Sequence, residues 1–207
     1  MTFTLMVRYL LLCCLLSGLA VLSSCGGSDG PDGPDGPTPL ALEAPFYFGD
    51  FTIPANNPTT VEGVALGRHL FYENRLSGNN TQSCASCHKQ EKAFTDGLAV
   101  STGIDGIAGT RSAMSLANLL WVPSFLWDGR SETLEDQALE PILDPIELHQ
   151  SLDQTVAKLQ ATELYPPMFE AAFGSSTVTA DHIAKALAQF QRTLISDDSP
   201  GLPAWRV

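Results

Sequence analysis

The sequence predicts an all-α domain, and three observations lead there. Several segments space their apolar residues at helical intervals, Pro and Gly residues punctuate those segments, and no run alternates apolar with polar residues as a half-buried strand would. Thr59-Thr60-Val61-Glu62 predicts a capping box from Thr59 to Glu62, opening a helix through Val64, Leu70 and Phe71. Cys84-Ala85-Ser86-Cys87-His88 suits a short helix. Residues 93–130, with Gly97, Gly103, Gly106, Gly109 and Gly129, predict a long irregular loop packed against something large, because such loops are uncommon without a reason. A helix over about 131–140 is expected to stop at Pro141, which cannot continue it. Another over about 152–162 places Leu152, Val156 and Leu159 on one face, and a third begins near Pro166 and ends at Gly174. The last, about 180–195, sets Ile183, Leu187, Phe190 and Leu194 in an amphipathic stripe that reads as core.

The N-terminal 24 residues read as a secretory signal. Arg8 precedes the apolar run 9–22, which is too short to span a bilayer comfortably. Leu22-Ser23-Ser24-Cys25-Gly26 resembles a bacterial lipobox, so Cys25 is expected to be acylated and to anchor the protein to a membrane in the periplasm or cell envelope. Residues 25–39, built on a Gly-Pro-Asp repeat, predict a flexible acidic tether. Residues 40–200 then suffice for one domain with its own core, followed by an atypical tail, 201–207. The net charge is −12, and loss of Arg8 with the signal makes it one unit more negative. That balance argues against nucleic acid as a partner and would suit a basic electron-transfer protein, although solubility explains it equally well.

Cys13 and Cys14 fall in the signal and Cys25 in the lipobox, which leaves Cys84 and Cys87 for the folded domain. Positions i and i+3 of a short helix share a face, so two thiols there can bond to two vinyl groups along one porphyrin edge. The adjacent His88 can then give a ring nitrogen to iron, and the spacing is the attachment signal of c-type haem. The expected fold is accordingly a cytochrome c-like haem domain with long Gly-rich loops. Three other readings compete: a Cys84–Cys87 disulfide, a zinc site completed by His69, His149, His182 or carboxylates, and a thioredoxin-like motif. The last lacks a preceding strand, and none accounts for the Gly-rich loop.

Further residues carry a resemblance. They are Leu66-Gly67-Arg68-His69-Leu70-Phe71, Arg75-Leu76-Ser77-Gly78 and Ser83-Cys84-Ala85-Ser86-Cys87-His88. Ala93-Phe94-Thr95-Asp96-Gly97 and Phe125-Leu126-Trp127-Asp128-Gly129-Arg130 follow, with Leu134-Glu135-Asp136-Gln137-Ala138, Pro141, Glu147 and Gln189-Phe190-Gln191-Arg192-Thr193-Leu194. Over about residues 46–200 the chain resembles the N-terminal haem domain of bacterial di-haem cytochrome c peroxidases and their methylamine-utilisation relatives. The resemblance implies hydrogen peroxide as substrate and a small donor protein, a cytochrome or cupredoxin. It implies Glu147 as distal acid–base, Gln137 as its polar neighbour, Pro141 as pocket wall and Trp127 in the electron path between two haems. From the residues alone Glu147 is a solvated turn carboxylate, Gln137 an exposed helical amide and Trp127 core.

Three departures from the family pattern matter. Ser101-Thr102-Gly103-Ile104-Asp105-Gly106 holds no histidine where many members carry a removable iron ligand, so an open iron face is expected, with Met114 or His149 as conceivable substitutes and Met114 more simply core. Arg111-Ser112 stands where an asparagine usually helps to bind calcium, so calcium is not expected. A second Cys-x-x-Cys-His is not present in these 207 residues, so a truncated chain carrying the peroxidatic half is expected, with turnover alone slow or absent. The alternatives are a single-haem electron-transfer cytochrome, with Met114 or Met168 as sixth ligand, and an inactive remnant.

Overall fold

The elements of this computed structural model follow from local sequence signals, and the structure describes residues 36–197. The secretory signal, Cys25, most of the tether and the tail 201–207 lie outside the described residues. Six α-helices occur among the described residues: α1 (Val61–Phe71), α2 (Cys84–Cys87), α3 (Leu134–Leu143), α4 (Leu152–Gln160), α5 (Tyr165–Phe173) and α6 (Ala180–Arg192). No strand forms among these residues; isolated bridges such as Thr102 to Ala108 and Phe125 to Ser131 tie the loops instead. The described residues all belong to one compact unit.

Several boundaries differ from expectation for identifiable reasons. The cap of α1 is Thr60, whose hydroxyl accepts from the Gly63 amide at 3.0 Å, and not Thr59. Glu62 turns instead to Thr38, accepting from its amide at 2.8 Å and its hydroxyl at 2.9 Å. The end of the expected tether is therefore docked: Leu40 N–H donates to the Thr59 carbonyl and Val61 N–H to that of Thr38, both at 2.9 Å. Helix α3 starts at Leu134, capped by the Thr133 hydroxyl, which accepts from the Asp136 amide at 3.1 Å, and runs through Pro141 to Leu143. Pro141 deprives the Gln137 carbonyl of its helical donor but leaves later bonds intact, since Asp144 N–H reaches the Glu140 carbonyl at 2.9 Å. Helices α4 and α6 end at Gln160 and Arg192, short of the expected 162 and 195, whereas α5 stops as expected at Gly174, left-handed at φ +70°.

The core lies where α1, α3 and α5 meet α6. Leu66, Leu70 and Phe71 of α1 and Ile183, Leu187 and Phe190 of α6 are all buried, and the rings of Phe71 and Phe190 sit 5.2 Å apart. Gly67 makes the α1–α6 crossing possible, because a Cβ there would lie 1.9 Å from the Ala186 carbonyl oxygen. A buried polar network locks the same junction. Gln189 accepts from Thr60 N–H at 2.9 Å and donates to Asn57 at 2.8 Å; Asn57 and Arg192 both donate to Glu135, each at 2.5 Å. Burial makes such groups stabilising only when they are paired, so the network fixes the start of α3 against the end of α6.

Candidate functional site

The short helix α2 sits beneath the Gly-rich loop. The Ser83 amide donates to the Ser86 hydroxyl at 3.0 Å, and His88 N–H closes the turn onto the Cys84 carbonyl at 2.9 Å. Cys84 and Cys87 thus sit one turn apart, and both thiols are free. Burial pushes the Cys84 thiol up to about 12, helped by the nearby Cys87 and Glu147 charges, even though the residue keeps partial exposure. Cys87 is raised too, first by burial and then by Asp96 and Glu147. Both sulfurs therefore stay protonated thiols at neutral pH.

His88 is oriented through its backbone surroundings. Its Nδ1 lies 2.8 Å from the Phe94 carbonyl oxygen, an acceptor, so Nδ1 carries the proton and Nε2 keeps its lone pair. That carbonyl is presented by two consecutive left-handed residues, Ala93 at φ +55° and Phe94 at φ +58°. Neither is glycine, so the kink costs conformational energy and persists because its neighbours impose it. Phe94 N–H bonds to the Lys89 carbonyl at 2.8 Å, and the Ala93 carbonyl accepts from Ser115 at 2.6 Å. Burial holds the imidazole below its ordinary range, against upward pulls from the Phe94 and Met114 backbone and from Asp96.

One cavity of about 380 Å³ opens beside these residues, within the roughly 300–1,000 Å³ range of sites for cofactors and small ligands. Cys84, Cys87 and His88 line it, and so do Gln137, Glu147, Trp127 and Pro141, the residues that the family resemblance singled out. Gln137 is 9 % exposed, so it is not an ordinary surface amide. Trp127 is 63 % exposed, which removes it from the core; its Nε1 donates to the Ser112 carbonyl at 2.8 Å. Met114 also lines the cavity and is half-buried, whereas Met168 on α5 and His149 are not among the lining residues. His149 is exposed and bonds Asp105 at 2.6 Å. The Gly-rich loop supplies Ser101 to Gly103 and Gly109 to Met114 of the wall, which explains its length.

Glu147 stands in the turn after α3, held by the loop beside it. Ile104 N–H donates to the Glu147 carbonyl at 3.0 Å, and a Cβ on Gly103 would lie 1.7 Å from the Ile146 carbonyl oxygen. The side chain remains open to solvent, yet its carboxyl is raised above the ordinary carboxylate range, first by desolvation and then by Asp144 and Glu140, with Arg130 opposing. Solvent access limits the size of that displacement. Arg130 in turn bonds Asp128 at 3.0 Å and Glu140 at 2.7 Å, and Arg111 reaches Asp128 at 3.1 Å. These ion pairs join the Gly-rich loop, the Trp127 loop and α3 around the cavity mouth. Arg130 and Asp128 are motif residues to which the sequence alone gives no role, and the same holds for Gln191, which also lines the cavity.

Fold and cavity together define a helical domain of the cytochrome c type. The chain belongs to the di-haem cytochrome c peroxidase family, whose model matches residues 61–201. It is 43 % identical over 148 residues to the methylamine utilization protein MauG of Methylorubrum extorquens, covering 71 % of this chain and 42 % of the relative. It is 38 % identical over 157 residues to the cytochrome c peroxidase Ccp of Escherichia coli, covering 72 % and 32 % respectively. Among solved structures, a MauG-like protein associated with microbial copper homeostasis superposes with a TM-score of 0.73 at 40 % identity, over 77 % of this chain and 48 % of that one. The chain thus spans less than half the length of these relatives.

Family membership implies haem c, and the residues present fit it. Two free thiols one helical turn apart, an imidazole whose Nδ1 is held by the Phe94 carbonyl, and the side chains of Gln137 and Glu147 all border one cavity. Among the described residues no helix is long and apolar enough to cross a membrane.

Proposed function

We propose that this chain supplies the peroxidatic haem domain of a cytochrome c peroxidase-type oxidoreductase that reduces hydrogen peroxide with electrons from a small donor protein, a cytochrome or cupredoxin. The observation that carries the reading is the convergence of Cys84, Cys87, His88, Gln137, Glu147 and Trp127 on a single cavity. Cys84 and Cys87 bind one haem c covalently and His88 ligates its iron through Nε2. Haem supplies the redox centre at which a peroxide O–O bond is broken. Glu147 takes a proton from one peroxide oxygen and returns it to the other, a task suited to a carboxyl raised above the ordinary carboxylate range. Gln137 orients the peroxide by hydrogen bonding, and the exposed Trp127 passes electrons inward from a docked donor. Cys25 carries a lipid that holds the domain at a membrane in the periplasm or cell envelope.

Stopped-flow mixing of the haem-loaded full chain with hydrogen peroxide tests this. A peroxide-dependent change in haem absorbance is expected, slowed roughly 10²-fold or more by Glu147→Gln. Repeated turnover is expected to be slow, because electrons must be delivered to this haem from outside. One observation favours a second reading, a plain electron carrier: Met114 lines the cavity and could complete the iron coordination. An unreactive six-coordinate spectrum with a methionine–iron band, lost on Met114→Leu, would decide for the carrier.

A further inference from the structure

Two hydroxyls stitch the strained turn after α2 to the Gly-rich loop, and the proposed reaction gives neither of them a task. Thr95 Oγ1 donates to the Ala113 carbonyl and Ser115 Oγ to the Ala93 carbonyl, each at 2.6 Å. Each hydroxyl also accepts a backbone N–H, from Gly97 at 3.3 Å and from Ala117 at 3.2 Å, which leaves its proton for the carbonyl. The two ties join 95 to 113 and 93 to 115, so Phe94 and Met114 lie between them. These are the residues whose backbone meets His88: the Phe94 carbonyl accepts from Nδ1 at 2.8 Å, and the Met114 backbone offers the ring a second polar contact. Ala93 and Phe94 are both left-handed, a conformation that residues with a Cβ keep only where neighbours impose it. Phe94 N–H on the Lys89 carbonyl closes the kink from within. From outside, the Phe94 ring meets Phe71 at 6.1 Å and the two hydroxyls supply the polar ties.

We infer that Thr95 and Ser115 are positioning residues for the haem ligand: they hold the Phe94 carbonyl on His88 Nδ1 and so set how strongly the imidazole donates to iron. Neither side chain lines the cavity, so both act through the turn. An Nδ1–H bonded to a carbonyl leaves more negative charge on the ring, and a more basic ring favours ferric over ferrous iron. Loosening the carbonyl therefore favours the ferrous state and raises the reduction potential. The two hydroxyls differ in weight. Ser115 is exposed, so water can take its place on the Ala93 carbonyl, whereas Thr95 is half-buried and less easily replaced. Thr95 carries the larger share.

The inference rests on the haem reading above, and the test keeps the two apart. Haem-loaded full chains of wild type, Thr95→Val, Thr95→Ser, Ser115→Ala and Ser115→Thr are compared by spectroelectrochemical titration. Haem stain on denaturing gels reports covalent attachment, and a wild-type chain without attached haem overturns both readings. Given attached haem, Thr95→Val should move the ferric–ferrous equilibrium roughly two- to tenfold toward ferrous, the worth of one weakened hydrogen bond. That is a rise of about 20–60 mV in potential for one electron. Ser115→Ala should move it the same way by less, while Thr95→Ser and Ser115→Thr, which keep the hydroxyls, should match wild type. Melting temperature is read on the same samples, because a purely structural tie lowers it and leaves the potential alone. An unchanged potential in both Thr95→Val and Ser115→Ala overturns this inference and leaves the haem reading standing. The same holds if Thr95→Ser moves as far as Thr95→Val. Should Thr95→Val fail to load haem, the exposed Ser115 variants decide alone.

Discussion

The two halves of this domain are held by opposite means. Where α1, α3 and α6 meet, the chain relies on close approach and buried pairing: Gly67 against the Ala186 carbonyl, and Arg192, 4 % exposed, on Glu135. Around the cavity mouth it relies on exposed ion pairs, with Arg111, Asp128 and Arg130 side chains 39–52 % exposed, and on left-handed backbone at Ala93, Phe94 and Leu126. The difference teaches where stability and chemistry reside. The helical frame is rigid and intolerant. The mouth can be altered with little loss of folding because water already shares its interactions.

The largest break of that contrast is expected from Arg192→Ala, which leaves Glu135 partly buried without its cation. A loss of about 3 kcal/mol or more is expected, read by urea denaturation; a loss like that of a surface change would show that the network does not fasten the frame. Gly67→Ala should cost about 1–3 kcal/mol, toward the upper end because the added carbon meets backbone that cannot rotate away. At the mouth, Trp127→Phe removes one hydrogen bond to Ser112 and should cost less than about 1 kcal/mol while slowing electron delivery. Arg130→Gln should scarcely move the melting temperature, yet Glu147 should titrate at higher pH, since Arg130 is the charge that opposes its upward displacement; carboxyl-carbon NMR reads this directly. The smallest effect concerns Glu147→Gln. A carboxyl raised in the folded state favours folding when protonated, and that contribution is lost as pH rises through its folded value. The variant should therefore gain stability over wild type at neutral pH and show no gain at acid pH, a small pH-dependent shift in melting temperature.

The cofactor-binding chemistry and most helices were legible because they depend on near neighbours in the chain. Cys84, Cys87 and His88 declare themselves by spacing, and the helices beginning at Leu152 and Ala180 start where their apolar patterns do. What escaped the sequence depends on partners far along the chain. Thr60 displaced Thr59 as cap because Glu62 was drawn to Thr38, and Pro141 stayed helical because α3 packs on α6. Trp127 reads as core from its type alone, yet its loop turns it outward. Gln191 was detectable in principle: a glutamine one turn after Leu187 interrupts the apolar stripe of α6, and a polar residue on a core face asks for a partner. The left-handed Ala93 and Phe94 carried no such signal, since neither residue type favours that conformation.

The Gly-rich loop also sets where this domain can change length. From Ser101 to Gly109 the chain folds back on itself, with Gly103 N–H on the Ile107 carbonyl at 3.0 Å and Gly109 N–H on that of Ser101 at 2.8 Å. Gly103 is wedged against the turn that carries Glu147, so adding or removing a residue at its base would shift the proposed proton carrier. Gly106 at the tip, φ +75°, has open space around it. Grafts, tags or natural insertions should therefore be accepted at Gly106 and rejected two or three residues to either side, which makes the tip a point for tethering a redox partner at fixed distance from the cavity.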